Sequence, residues 1–235
     1  QHSLLQLAKI CEVLRTTMGV RLDVGGERVW VADCGGDVIK GSDLAAALAM
    51  MALRAHGGGT IAVPVAMPSV FEKLAAEYGG SVIRTRVSMR GLMEAANNPG
   101  VILAADGNGS FIWPQFQPVV DGMMTVAKML EYATTQRTSL AQAIASLPSY
   151  HMAQGTVNCP WESKGIVMRL LNQQYKGRLG AQIDGVRINL SDDEWVLVLP
   201  DPDQPLFHIF AEASSGEQAE GLVSRYQRIV EGFQG

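Results

Sequence analysis

The sequence predicts an α/β protein in two parts: a layered α/β sandwich domain over residues 1–148, then a smaller α+β domain over residues 149–235 with an antiparallel sheet and two helices. Three observations predict it. Short apolar runs of strand length alternate with helix-period segments through the first 148 residues, the order of an α/β layer sandwich. After Pro148 the order becomes strand, helix, three strands in succession and a last helix, which suits an antiparallel sheet with helices beside it. No low-complexity linker or internal repeat intervenes, so the break near Pro148-Ser149 rests on that change of order alone.

Each element has a local cause. Leu4, Leu7, Ala8, Cys11 and Leu14 fall on one helical stripe across residues 4–14. Residues 20–23 form a short strand entering a Gly25-Gly26 turn, and residues 28–33 the returning strand, closed by Gly35-Gly36. Ser42 and Asp43 cap an apolar helix that runs to His56 and stops at Gly57-Gly58-Gly59. Residues 60–67 are a buried strand, residues 68–78 a helix with Pro68 in its first turn, and residues 81–87 a strand. A short helix ends at Asn97-Asn98-Pro99-Gly100, and the apolar strand 101–105 runs into Asp106-Gly107-Asn108-Gly109-Ser110. A long helix covers residues 121–134, and Ser139 caps another that Pro148 ends. In the second part the strand at 151 precedes a helix at 162–175, strands at 181–188, 194–199 and 206–213, and a helix from Ser215 to about residue 233.

The bulk properties exclude several classes. A net charge of −4, without clustered Lys and Arg, argues against a nucleic-acid backbone binder. No apolar tract is long enough to cross a bilayer. Cys11, Cys34 and Cys159 are odd in number and far apart, which predicts reduced, packed thiols and a cytoplasmic setting rather than a disulfide framework or zinc site. His2, His56, His151 and His208 fall in four separate elements and suggest neither a catalytic dyad nor a metal cluster. The chain opens at Gln1, without methionine or signal peptide, directly into an amphipathic pattern, and so reads as a piece of a longer protein.

Five segments share an outside likeness. Leu22-Asp23-Val24-Gly25-Gly26-Glu27-Arg28 is similar to a D-G-D-x-D-R loop, and Arg84-Thr85-Arg86-Val87 to R-T-x-V-G. Asp106-Gly107-Asn108-Gly109 is similar to G-E-x-N-G or G-E-x-S-G, and Ile183-Asp184-Gly185-Val186-Arg187-Ile188 to a D-G-V-K-I strand followed by tryptophan, here Trp195. Leu199-Pro200-Asp201-Pro202-Asp203-Gln204-Pro205, before a strand ending Ala211-Glu212-Ala213, keeps the outer prolines and exit of R-P-S-G-T-E-P…A-E-A. In this order the motifs resemble the last two of the four domains of the α-D-phosphohexomutases, the phosphoglucomutase and phosphomannomutase family, in degenerate form. The resemblance implies a domain 3-like unit followed by a domain 4-like unit of the TATA-box-binding-protein-like kind.

It also implies roles. The family's three aspartates hold Mg²⁺, a hard ion that prefers an octahedron of oxygens. Here Gly25 and Glu27 replace two of them, leaving Asp23 and Glu27 as a weak or vestigial metal pair, or simply as parts of a hairpin turn. Leu199 stands where the family has its arginine fork, Pro202 removes an N–H, and Asp201 and Asp203 bring negative charge, so no phosphate-binding residue is expected. At about 6 Å and an effective dielectric of about 40, each unit repulsion costs on the order of 1.4 kcal/mol. Asp106 and Asn108 occupy the family's sugar-binding positions and suit paired hydroxyls, or else form a polar turn at the strand end. The two arginines of Arg84-Thr85-Arg86 read as a solvated strand face.

No catalytic residue is expected in this chain. Two functions follow from the resemblance: a non-catalytic mutase-derived module in sugar-phosphate or sugar-nucleotide metabolism, such as the mutase-like region of a mannose-1-phosphate guanylyltransferase fusion, or the C-terminal part of an active phosphomannomutase or phosphoglucomutase. The expected partners are the missing N-terminal domains of the same polypeptide, a weakly held hexose or hexose phosphate, and a second copy in a homo-oligomer. Nucleic acid and membrane are not among them. No cofactor is expected beyond weakly held Mg²⁺. With only Asp23 and Glu27 as carboxylate ligands, Mg²⁺ binds no tighter than roughly millimolar. Titration calorimetry checks this, and micromolar affinity would overturn it.

Overall fold

The computed structural model describes residues 2–33, 35–180 and 182–234, excluding the side chain of His2. Cys34 and Ala181, the expected start of a strand, lie outside the described residues. The chain divides into two compact units, Gln1–Pro148 and Ser149–Gly235.

The first unit opens with α1 (His2–Leu14) and the antiparallel pair β1 (Met18–Leu22) and β2 (Val29–Asp33), a two-stranded sheet of their own. Then follow α2 (Gly41–His56), β3 (Gly59–Pro64), α3 (Val70–Glu77), β4 (Gly80–Thr85), α4 (Met89–Ala96), β5 (Val101–Ala105), β6 (Phe111–Trp113), β7 (Gln117–Val120), α5 (Gly122–Thr135) and α6 (Leu140–Ala145). Five strands form one mixed sheet in the order β4-β3-β5-β6-β7, parallel across β4, β3 and β5 and antiparallel beyond. Its central strand β5 is buried end to end, and β3 from Ile61 onward, as parallel strands covered by helices are. Leu92, Ala95 and Ala96 of α4 pack on Ala62, Ala104 and Ile112. Residues 44–53 of α2 are buried without a break, because α2 lies against β3 and β5 and is enclosed by α3, α5 and α6.

The second unit contains β8 (His151–Asn158), α7 (Trp161–Gln174), β9 (Val186–Asn189), β10 (Trp195–Pro200), β11 (Leu206–Ala213) and α8 (Gly216–Gly232). The four strands are antiparallel in the order β8-β11-β10-β9. Alternate residues Val186, Ile188, Val196, Val198, Phe207, Ile209 and Ala211 meet Val167 and Leu171 of α7 and Val223, Tyr226 and Val230 of α8 in one core. Cys159 belongs to that core, and burial pushes its thiol pKa up; Cys11 is likewise buried and free.

Several expectations are corrected. The stretch after Ser110, which carries no expected strand, supplies β6 and β7, and β9 opens at Val186, leaving residues 182–185 of the expected strand outside it. Leu14 is 66% exposed, so α1 buries Leu4, Ala8 and Cys11 while Leu5, Ile10, Val13 and Leu14 face water. Pro68 precedes α3 instead of lying in its first turn.

Arg86 is exposed, but Arg84 is not on a solvated face. Its guanidinium donates to the carbonyls of Pro64, Met67 and Pro68 at 3.1, 2.7 and 2.8 Å and takes both carboxylate oxygens of Glu72 at 2.8 and 2.6 Å. The arginine thus staples the β3–α3 connection to β4. Its side chain is 12% exposed against 48% for Glu72. Arg84→Ala is therefore expected to cost about 2–4 kcal/mol, because three carbonyls lose their donor, and Glu72→Ala less than about 1 kcal/mol. Urea denaturation of the two variants checks the difference.

Candidate functional site

Loops at the strand ends carry the residues singled out by sequence. In the Asp23–Arg28 turn, Asp23 Oδ1 accepts the amides of Glu27 and Arg28 at 2.8 and 3.0 Å, and the Asp23 carbonyl accepts that of Gly26 at 3.1 Å. These bonds to the ionised carboxyl, the one from the Arg28 amide first, hold Asp23 below the usual carboxylate range. Glu27 is exposed. Among the described residues, no three His, Cys, Asp or Glu side chains are grouped to hold a metal. Asp23, already accepting two amides through Oδ1, and Glu27 would leave most of an octahedral Mg²⁺ shell to water or substrate oxygens.

The second loop repeats the device. Asp106 Oδ1 accepts the amides of Asn108 and Ser110 at 2.7 and 3.0 Å. The Asn108 side chain is exposed, and the buried Ser110 hydroxyl has no partner among the described residues. The loop closes on the first residue of α2, where a side chain at Gly41 would strike the Gly107 carbonyl.

The fold brings these two loops together. Val29 donates its amide to the Gly109 carbonyl at 2.9 Å, and Arg28 and Ser110 form an antiparallel bridge. Gly109, at φ +93°, has Val29 O where a Cβ would stand, so the contact demands glycine twice over. From the other side, the first amide of α5, that of Gly122, donates to the Gly26 carbonyl at 2.9 Å. The turn that carries Asp23 and Glu27 and the loop that carries Asp106 and Asn108 are therefore joined through their backbones at one polar rim.

The third loop, in the second unit, joins β10 to β11. Asp201 Oδ1 accepts the amides of Asp203 and Gln204, each at 2.8 Å, and Oδ2 lies 2.7 Å from His208 Nε2. Lys164 reaches over from α7 to the carbonyls of Asp201 and Gln204, both at 2.6 Å. Leu199 is buried. Farther along the same hairpin, Trp195 donates its indole N–H to Glu212 at 2.5 Å, both buried. Sequence reasoning missed Lys164 and His208. The hairpin register that sets His208 opposite Leu199 is the signal that pairs it with the loop.

The His208 hydrogen bond, followed by the Asp203 amide, pulls the Asp201 pKa down. A depressed carboxylate contributes stability that is present at neutral pH and lost as pH falls through its folded-state pKa. Asp201→Asn is therefore expected to lower Tm at pH 7, with the gap to the parent chain closing below about pH 4. Melting curves along that pH series check it.

Residues 40–150 match the family model for phosphoglucomutase/phosphomannomutase, alpha/beta/alpha domain III. The chain is 30% identical over 231 residues to a Methanopyrus kandleri protein described as "Probable phosphoglucosamine mutase", covering 97% of this chain and 51% of that protein. It thus spans about half the length of the curated relatives it matches. Its fold is similar to a phosphoglucomutase/phosphomannomutase family protein of Burkholderia thailandensis, with a TM-score of 0.82 at 17% identity over 98% of this chain and 50% of the other. It is also similar to the Aspergillus fumigatus N-acetylphosphoglucosamine mutase solved with GlcNAc-6P and magnesium, with a TM-score of 0.64 at 12% identity over 90% and 51%. Residues 40–150 thus match a phosphoglucomutase/phosphomannomutase domain III model, and the whole chain has the fold of α-D-phosphohexomutase domains 3 and 4.

Proposed function

We propose that this chain is a phosphohexomutase-derived module of a longer protein in sugar-phosphate or sugar-nucleotide metabolism, and that it recognises sugar hydroxyls without contributing mutase chemistry. The single observation that carries the reading is the loop at 199–206. Its amides at Asp203 and Gln204 are spent on the Asp201 carboxylate, and it has neither an arginine nor a glycine to grip phosphate. The shared rim of Asp106 and Asn108 supports retained contact with a hexose. Asp23 and Glu27 would be a weak Mg²⁺ site at most, needing water or substrate oxygens to complete the shell.

A second reading is favoured by a different observation. Likeness that extends over 97% of the chain to a phosphoglucosamine mutase supports the C-terminal part of a working mutase, with the reacting residues on other domains. The names of the relatives differ in their sugar, so hexose and hexosamine phosphates both belong in the test.

The deciding experiment assays the full-length protein for interconversion of the 1- and 6-phosphates of glucose, mannose and glucosamine. No turnover above background is expected. Turnover that disappears with Asp106→Ala would overturn the non-catalytic reading and establish the second.

A further inference from the structure

Three hydrogen bonds of the β10–β11 loop converge on a single group. Two backbone amides, those of Asp203 and Gln204, meet at Asp201 Oδ1, and the His208 imidazole meets Oδ2. Behind them the Lys164 ammonium, held 3.9 Å over the Trp161 ring, braces the carbonyls of Asp201 and Gln204 and fixes the curl of the loop. Convergent amides, an imidazole and a nearby ammonium are the donors that an oxyanion requires. A carboxylate is such an oxyanion, and here it is covalently part of the loop.

We propose that Asp201 is a resident anion: its carboxylate fills the cradle made by its own loop, and it thereby keeps phosphate groups from entering. A tethered group competes at an effective concentration far above that of millimolar free phosphate. Asp203, on the same loop, adds repulsion toward any second anion, while Lys164 on α7 and His208 on β11 are already engaged. Glu162, in the first turn of α7, is a further negative charge on that helix. Lys164 is then a positioning residue, acting through the loop it holds. The inference deepens the reading above, and the two fail separately, since turnover by the full-length protein sinks that reading while phosphate binding by this chain decides this one.

The test is a titration of the isotope-labelled chain with inorganic phosphate at pH 7, followed by NMR. In the parent chain the amides of Asp203 and Gln204 are expected to stay unmoved up to about 20 mM phosphate. Asp201→Gly empties the cradle, and the same amides are expected to shift and saturate in the millimolar range. Adding Lys164→Met to that variant is expected to weaken the gained binding by about tenfold. Phosphate binding by the parent chain equal to that of Asp201→Gly, or a folded Asp201→Gly chain that binds none, overturns the proposal. Should Asp201→Gly not fold, the parent chain decides alone. As pH falls through the Asp201 carboxyl's folded-state pKa, held below the ordinary carboxylate range by His208 and the loop amides, the Asp203 and Gln204 amides must shift. Two amides indifferent to that step overturn the proposal equally.

Discussion

Four polar loops of this protein are each built on an aspartate that accepts amides from the residues just after it. Asp23 takes those of Glu27 and Arg28, Asp33 those of Gly35 and Asp37, Asp106 those of Asn108 and Ser110, and Asp201 those of Asp203 and Gln204. Backbone N–H groups at the end of a strand have lost their ladder partners and must find others. A short side chain with two acceptor oxygens supplies them without leaving the loop. The shape of the rim in the larger unit, and of the hairpin end in the smaller, follows from that one demand.

The demand also decides what these carboxylates can do. An oxygen that receives two amides is held in place, but it is no longer a free ligand. At Asp106 the two amides fix one carboxylate oxygen and leave the other outside these bonds, which suits the proposed contact with a hydroxyl. At Asp23 the same bonds compete with a metal for one of very few ligands. At Asp201 they leave the loop inward-looking. One piece of local chemistry thus has three consequences, set by what surrounds each turn.

Much of this was legible in sequence, and the exceptions have physical causes. The long apolar helix α2 and the strands β3 and β5 announce themselves because residues 44–53, 61–64 and 101–105 are buried without a break, which leaves unbroken apolar runs. β6 and β7 escaped notice because they are three and four residues long, flanked by Pro114 and containing Pro118, and are made strands by pairing with β5 and with each other. Arg84 was misread because alternation along β4 speaks for the direction of the Cβ, not for where a long guanidinium ends. The candidate rim was half legible. Asp23, Glu27, Asp106 and Asn108 could be named, but their meeting depends on the Val29–Gly109 bond, a contact 80 residues apart that no local pattern encodes. Lys164 and His208 stayed hidden for the same reason, since only the hairpin register and the placement of α7 bring them to Asp201.

The helix α1 has a material consequence beyond its place in the fold. Its inner stripe seals the small sheet of β1 and β2, yet Leu5, Ile10, Val13 and Leu14 leave a second greasy strip on the outside. A strip of that kind behaves in water as a mild surfactant would, favouring adsorption to plastics, dyes and like surfaces, and it lowers the concentration at which the chain stays dispersed. The colloidal temper of a preparation of this chain therefore depends on this strip as well as on its net charge of −4.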